Sequence, residues 1–305
     1  TNVLDGGILT AREITIANAA TSRGTLNVAG QGSEVQTTNK ITIANSGIAE
    51  ANLVDGGILS ASEIAIADGV SSTGSLNIGG VGDSGGMSGT VDTSVVSGGQ
   101  GRASVNFNHV DDVVFDPKLT GRLTVNKRLN SLVTLIANSD YEGVTTVEAG
   151  IFAAGTENAF SEKSDYVVRT DANLLLNGFN QTIASLTHSG LVEFAGSGGA
   201  ILTVNNGYIG DGGLFVMNTV LGDDNSLTDR LGFNTTTGNG YIKVNNVGGA
   251  GALTNEGIKV ASVSNLDSDG KFSLVGDYTL DGKDYVVAGV YAYGLYQGST
   301  SQPND

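Results

Sequence analysis

Residues 2–30, NVLDGGILTAREITIANAATSRGTLNVAG, align without a gap on residues 52–80, NLVDGGILSASEIAIADGVSSTGSLNIGG, with 16 of 29 positions identical. A fixed period of 50 residues marks a chain assembled from stacked units. The central strand recurs a third time between them, as Ile14-Thr-Ile-Ala17, Ile41-Thr-Ile-Ala44 and Ile64-Ala-Ile-Ala67, at spacings of 27 and 23. The unit is therefore expected to be two coils of about half its length. Each strand alternates with period two and ends at a Gly, Asn or Asp turn, as a half-buried strand does. Ile14, Ile16, Leu26, Val28, Ile41, Ile43, Leu76 and Ile78 are expected to point inward. The same theme returns in Leu123-Thr-Val-Asn126, Leu202-Thr-Val-Asn205 and Ile242-Lys-Val-Asn245. A single coil cannot bury its apolar face, but stacked coils can. The expected fold is all-β, a right-handed parallel β-helix. At ~25 residues per coil and ~4.8 Å per layer the rod would be roughly 55–60 Å long. A β-sandwich shares the short turn spacing but not an ungapped repeat.

Composition agrees. The 305 residues include 46 Gly and 2 Pro, and only 15% are charged, against ~25% in a typical globular chain. Fifteen basic against 31 acidic residues give a net charge of −16, which argues against nucleic acid as a partner, because phosphate contacts need clustered Lys and Arg. No apolar run is long enough for a membrane helix. The absence of Cys removes disulfides, thiolate metal sites and a Cys nucleophile, and leaves location open, because a chain that must cross a compartment unfolded also does better without disulfides.

Outside the repeat, residues 81–101, VGDSGGMSGTVDTSVVSGGQG, read as a long loop off the solenoid. Helical signal is confined to residues 154–163, AGTENAFSEK, enough for one or two turns. From Phe272 the chain carries five of its nine Tyr. Asp281-Gly282 is a strong hairpin signal. Beyond it Tyr285, Val287, Tyr291, Tyr293 and Leu295 are expected to share one face of a cap strand, with Val286, Ala288 and Val290 on the other, so that the strand is buried on both faces. An antiparallel hairpin there would close the open edge of the parallel stack. The expected segments are repeats at 1–80, loop and further coils at 81–130, a strand repeat at 131–164, a cap region at 165–298 and a polar linker at 299–305.

The second half resembles the autotransporter (type V secretion) passenger domains of Gram-negative bacteria. Asn106-Phe-Asn-His-Val-Asp-Asp-Val-Val-Phe115 is similar to an FNH-type passenger segment. Residues 135–150, LIANSDYEGVTTVEAG, resemble the autotransporter-associated strand repeat, departing from it at Ile151-Phe152. Residues 165–298 resemble a pertactin-like autochaperone region through YVVRTDA (166–172), LNGFNQTI (176–183), LGDDNSLTDR (221–230), VNNVGG (244–249) and YVVAG (285–289). The resemblance implies a surface-exposed or secreted β-helix, anchored at the outer membrane through a C-terminal β-barrel of the same precursor. It further implies a signal peptide and more passenger upstream, a C-terminal region that seeds folding during export, and an unknown host or bacterial surface receptor or glycan as partner.

Chemical motifs carry less. Gly82-Asp83-Ser84-Gly85-Gly86 spells the nucleophile loop of chymotrypsin-like proteases, but no His precedes Ser84, and the two that exist, His109 and His188, follow it; a Ser nucleophile needs a base. Two distant His without Cys offer zinc no ligand set. Asp267-Ser-Asp-Gly270 opens like a calcium loop without its twelfth-position Glu, and Gly79-Gly-Val-Gly-Asp83 matches a calcium nonapeptide imperfectly and once. Asp111-Asp112 and Asp223-Asp224 are adjacent pairs that would face opposite ways on a strand, so neither makes an acid/base pair by itself. No catalytic, metal or cofactor site is expected. Asn126, Asn205 and Asn245 are open to two structural readings, a ladder along the rod or turn caps. The two functional classes are a non-enzymatic adhesin or aggregation factor, or the stalk presenting one, and, as the alternative, a β-helix enzyme acting on polysaccharide.

Overall fold

The computed structural model describes residues 1–82, 84–265 and 267–298, so the polar linker at 299–305 lies outside the described residues. The first coil lays down strands Asn2–Leu4, Ile8–Ala11 and Ile14–Ile16, and the next coils add to the same three faces in parallel. Asn2 pairs with Asn27, Asn27 with Asn52 and Asn52 with Asn77, a coil of 25 residues. The Ile14, Ile41 and Ile64 strands stack in one five-stranded sheet. The fold is therefore the parallel β-helix that the repeat implies. Its inward positions are sealed: Leu26, Val28, Ile41, Ile43, Leu76 and Ile78 are all buried, while Ile14 and Ile16 are half-covered in the first coil.

The section changes along the rod. The second face ends at Thr90–Asp92 and the third at Lys118–Gly121. The next coils take about 20 residues, Asn106 pairing with Asn126 and Tyr166 with Leu186, and the last ones about 30, Leu202 pairing with Leu231 and Leu231 with Ala261. Their strands join one 19-stranded sheet, which further on includes the single strand Ile201–Thr219. In the stretch 154–163, Ala154 ends the strand Gly150–Ala154 and the rest is turns and bends without a helix.

Residues 81–101 differ from expectation. Of the described residues there, only 79–82 and 84–88 leave the wall. Thr90–Asp92 and Val95–Gly98 are wall strands, with Val96 fully buried and paired to Ile64. Gly and Ser hid them because neighbouring coils come so close here: a Cβ at Gly98 would sit 2.0 Å from the Arg122 carbonyl oxygen. Glycine in this stretch marks close approach as well as flexibility.

An asparagine ladder runs outside the first coils. The Asn27 amide donates to Asn2 at 2.7 Å, Asn52 to Asn27 at 2.8 Å, Asn77 to Asn52 at 2.7 Å, Asn106 to Asn77 at 2.7 Å and Asn126 to Asn106 at 2.8 Å. Of the three asparagines singled out in the sequence, Asn126 ends this ladder. Asn245 donates to Asn218 at 3.3 Å, and exposed Asn205 falls at a register shift that breaks the column. Inside, the column is aromatic: Phe107, Phe152, Phe160, Tyr166, Tyr208 and Phe215 are fully buried.

Asn77→Ala strips a buried position of both its ladder bonds and is expected to cost about 1–3 kcal/mol, read as a lower melting temperature, whereas Asn205→Ala should stay within about 0.5 kcal/mol. Equal effects of the two would show that the ladder contributes nothing.

Candidate functional site

Ser84 is exposed on the protruding loop, and its neighbour Asp83 lies outside the described residues. A different Ser, His and Asp meet beneath that loop. The His109 Nδ1 lies 2.6 Å from the Asp111 carbonyl oxygen, 3.4 Å from the Ser131 hydroxyl and 3.8 Å from the Asp111 carboxylate. A catalytic base needs its nucleophile and its carboxylate on opposite ring nitrogens; here both crowd one nitrogen, and Nε2 is buried without a partner. Ser131 instead donates to the His109 carbonyl at 2.7 Å. The cluster is a clasp. The Asp111 carboxylate takes the Ser88 N–H at 2.7 Å and hydroxyl at 2.6 Å, and the Asn108 amide donates to the Gly82 carbonyl at 2.6 Å. Burial works against the Asp111 charge, but the Ser88 bonds outweigh it and hold the carboxyl below its usual range. The Asn-His-Val-Asp segment thereby pins Gly82 and Ser88 to the wall.

The other acidic motifs are also committed to the backbone. Asp112 accepts the Leu132 N–H at 3.0 Å, Asp223 caps its own turn at Asn225, and Asp224 gathers the N–H groups of Asn255, Glu256 and Gly257 at 2.9–3.2 Å. Asp229, missed in the sequence, is fully buried and accepts from Ala200 at 2.9 Å and Asn218 at 2.7 Å; burial outweighs these bonds and raises its pKa. The Asp267 N–H donates to the Asn265 side chain at 3.0 Å, a turn bond. Among the described residues no three His, Asp or Glu come together as a metal site.

Two further buried groups were not legible as such. Lys127 points inward beneath Phe107, its ammonium on the carbonyls of Leu129 and Ala149, and burial depresses its pKa to about 8. Tyr141 and Thr145, from the Tyr-x-Gly-x-Thr-Thr-Val stretch, form an internal network: their hydroxyls are 2.5 Å apart, Thr145 meets Ser164 at 2.7 Å and Tyr141 meets Tyr166 at 3.2 Å. Gly143, at φ +140, passes so close to Leu123 that a Cβ would sit 2.5 Å from its carbonyl oxygen. The motif is thus a corner where two coils share buried hydroxyls.

At the C-terminal end the stack closes as an antiparallel meander, Tyr278–Leu280, Lys283–Ala288 and Tyr291–Tyr293. The Asp281-Gly282 turn, with φ of 50 and 76, forms the expected hairpin. The expected single strand buried on both faces is not there. A second turn at Gly289-Val290 reverses the chain, so Tyr291 and Tyr293 pair with Ala288 and Val286 and share their face instead of that of Tyr285 and Val287. Val286 and Ala288 are buried on Leu221, whereas Val287, Tyr291 and Val290 are 39%, 37% and 93% exposed. Tyr293 locks the fold-over: its hydroxyl accepts the Ala252 N–H at 2.8 Å and reaches the carbonyls of Gly222 at 3.0 Å and Ala252 at 2.8 Å. Leu295, half-buried, packs against the main core. The densest aromatic packing lies beneath the cap, where the rings of Tyr208 and Phe233 lie 5.0 Å apart, those of Phe233 and Phe272 5.8 Å, and those of His188 and Phe215 4.6 Å.

Residues 181–295 match the Autochaperone Domain Type 1 family. They begin at the strand Gln181–His188 and end in the cap. The chain is similar to the adhesin BmaC autotransporter of Brucella suis biovar 1, 46% identical over 120 residues, which is 39% of this chain and 4% of that protein. It is also similar to the autotransporter adhesin AIDA-I of Escherichia coli, 42% identical over 107 residues, 34% of this chain and 8% of that protein, and to the probable autotransporter YfaL of Escherichia coli K12, 35% identical over 133 residues, 41% and 10%. The chain thus corresponds to a small part of each relative's length.

Two predictions test these assignments. Ser84→Ala and Ser131→Ala are both expected to leave a fluorophosphonate probe unreacted, as in the parent; labelling of the parent that either change abolishes would contradict the structural reading. Burial lowers the His188 pKa to about 4 from about 6.5 in an unfolded chain. Its neutral form therefore contributes stability in full above pH ~6.5, and that contribution drains away as pH falls toward 4, on the order of 2 kcal/mol by pH 4.5. His188→Phe should shrink the gap between melting temperatures at pH 7 and pH 4.5; an unchanged gap would refute the assignment.

Proposed function

We propose that the chain, an autotransporter passenger region whose residues 181–295 are an autochaperone domain, is a non-enzymatic surface stalk that acts as an adhesin or aggregation factor or presents one, and that its C-terminal coils seed folding of the rod during export. The passenger would be displayed at the surface or secreted, and anchored through an outer-membrane β-barrel. Its partner would be a receptor or glycan on a host or bacterial surface. The names of the relatives support the adhesive reading. So does the commitment of the Asp111-Asp112 and Asp223-Asp224 carboxylates to backbone N–H groups, which gives these two motifs a structural role in place of a glycosidase's acid/base pair.

One observation carries the seeding role: the matched segment contains both the packed rings of Tyr208, Phe215, Phe233 and Phe272 and the meander that covers the end of the stack. Parallel coils pair residues some 25 positions apart, so the first pairings must overcome loop-closure entropy before contacts reward them. A region with large buried rings and two tight hairpins gains contact energy at low loop cost. On this reading the seed is the set of packed rings beneath the cap, with the meander as their cover.

Deleting residues 271–298 removes Phe272 and the cover, and should slow refolding of the rod at least tenfold or lower its yield severely. Deleting residues 1–50, two whole coils, should leave the remainder folding at the parental rate. Equal refolding of the parent and the chain lacking 271–298 would refute the seeding role.

A further inference from the structure

The cap covers the end of the stack without pairing to it. The last parallel strands, Ala261–Val263 and Lys271–Val275, each pair with an earlier coil along one edge. Among the described residues no strand pairs with their other edge, and the meander forms a three-stranded sheet of its own. Between the free edge and the returning cap lies a cleft of about 750 Å³. Lys271, Phe272, Ser273 and Leu274 all line it, and residues 292–298 face them across it. Successive side chains of a strand point to opposite faces, so four in a row can border one cleft only through their backbone edge. The lining is accordingly mixed: the half-buried side chains of Phe272 and Leu274 alternate with Ser273, and Val260 lies beside Thr254. An unpaired row of N–H and C=O groups is a template for a further strand. The guest suited to such an edge is an extended peptide, which takes main-chain bonds from it and lodges alternate side chains in pockets. The parallel pairing that joins coil to coil along the rod leads directly onto this edge. Strands already stacked there carry the alternation that a guest must match, as in Leu202-Thr-Val-Asn205 and Ile242-Lys-Val-Asn245.

We propose that this cleft binds an extended peptide of another polypeptide, added as a strand to the free edge of Lys271–Val275 with its alternate apolar side chains beside Phe272 and Leu274. The guest is an alternating stretch of β-branched or aliphatic residues with Thr, Ser or Asn. The site stands apart from the folding role argued above, because it needs only the finished cap. Main-chain pairing supplies the affinity, so removing N–H donors from the guest matters on the edge that meets the protein and not on the other.

The test is calorimetric titration of the 305-residue chain with acetyl-Gly-Leu-Thr-Val-Asn-Gly-amide, for which one saturable site per chain is expected. N-methylation of the Leu and Val amides strips donors from one edge of this peptide, and N-methylation of the Thr and Asn amides strips them from the other. One methylated peptide should bind at least about tenfold more weakly than the parent peptide, and the other within about twofold of it. Ala292→Trp, which fills the cleft from the cap, should weaken binding of the parent peptide at least about tenfold with an unchanged far-ultraviolet circular dichroism spectrum. If that variant misfolds, Ala261→Trp fills the cleft from its wall. Absence of saturable binding, equal losses from the two methylations, or undiminished binding by a folded cleft-filled variant would each overturn the proposal. So would dimers of the chain that form while the peptide does not bind, which would give the free edge to a second copy, and uptake of octanol in place of the peptide, which would make the cleft a small-molecule site.

Discussion

Every coil of this rod is held by parallel backbone pairing to the coil before it, and that pairing is satisfied only where another strand follows. An open parallel edge exposes a row of N–H and C=O groups and half of an apolar face. The rest of the structure can be read as a response to that constraint. Along the length, the Asn2 to Asn126 ladder and the Tyr141–Thr145–Ser164 hydroxyls lock neighbouring coils in register with side-chain bonds that repeat the backbone spacing. At the end, the chain abandons parallel pairing, turns through Asp281-Gly282 and Gly289-Val290, and lays an antiparallel meander beside the last coils.

The polar residues follow the same logic. Asp111, Asp112, Asp224 and Asp229 each take backbone N–H groups from a segment in another turn of the chain, and Lys127 supplies the converse, an ammonium on inward carbonyls. A buried carbonyl or N–H left unpaired costs more than the hydrogen bond gains when made, so loops that leave the wall need such anchors. The Ser, His and Asp around the 79–88 loop are an instance of this. Their identities invite comparison with a hydrolase, but their geometry places both partners on one ring nitrogen.

Periodicity made the walls legible. The 25-residue coil, the stacking of the Ile14, Ile41 and Ile64 strands and the inward positions follow from spacing alone, because a repeat that must stack in register leaves little freedom in which side chain faces the core. The Asp-Gly hairpin was legible for a local reason, its positive-φ turn. What spacing could not reveal was where backbone rather than side chain makes the contact. The strands at Thr90–Asp92 and Val95–Gly98 hid among glycines whose missing Cβ atoms let coils approach, and the Gly289-Val290 turn shifted the phase of Tyr291 and Tyr293 by reversing the chain. Lys127, Asp229 and His188 are of residue types that predict exposure, and only the closed section around them decides otherwise. The alternation Thr-Val-Asn-Lys around Lys127 was the one available hint.

The central claim is that the coils of residues 181–275, with their packed rings and cover, are the first part of the rod to become stable. Pulsed hydrogen exchange during refolding tests it most directly, with peptides read by mass spectrometry. The account predicts that amides of Gln181–His188, Ile201–Thr219 and Thr236–Asn246 gain protection first and that protection then spreads toward residues 2–80. Protection that arises first in the N-terminal repeats, or in all coils at once, would contradict it.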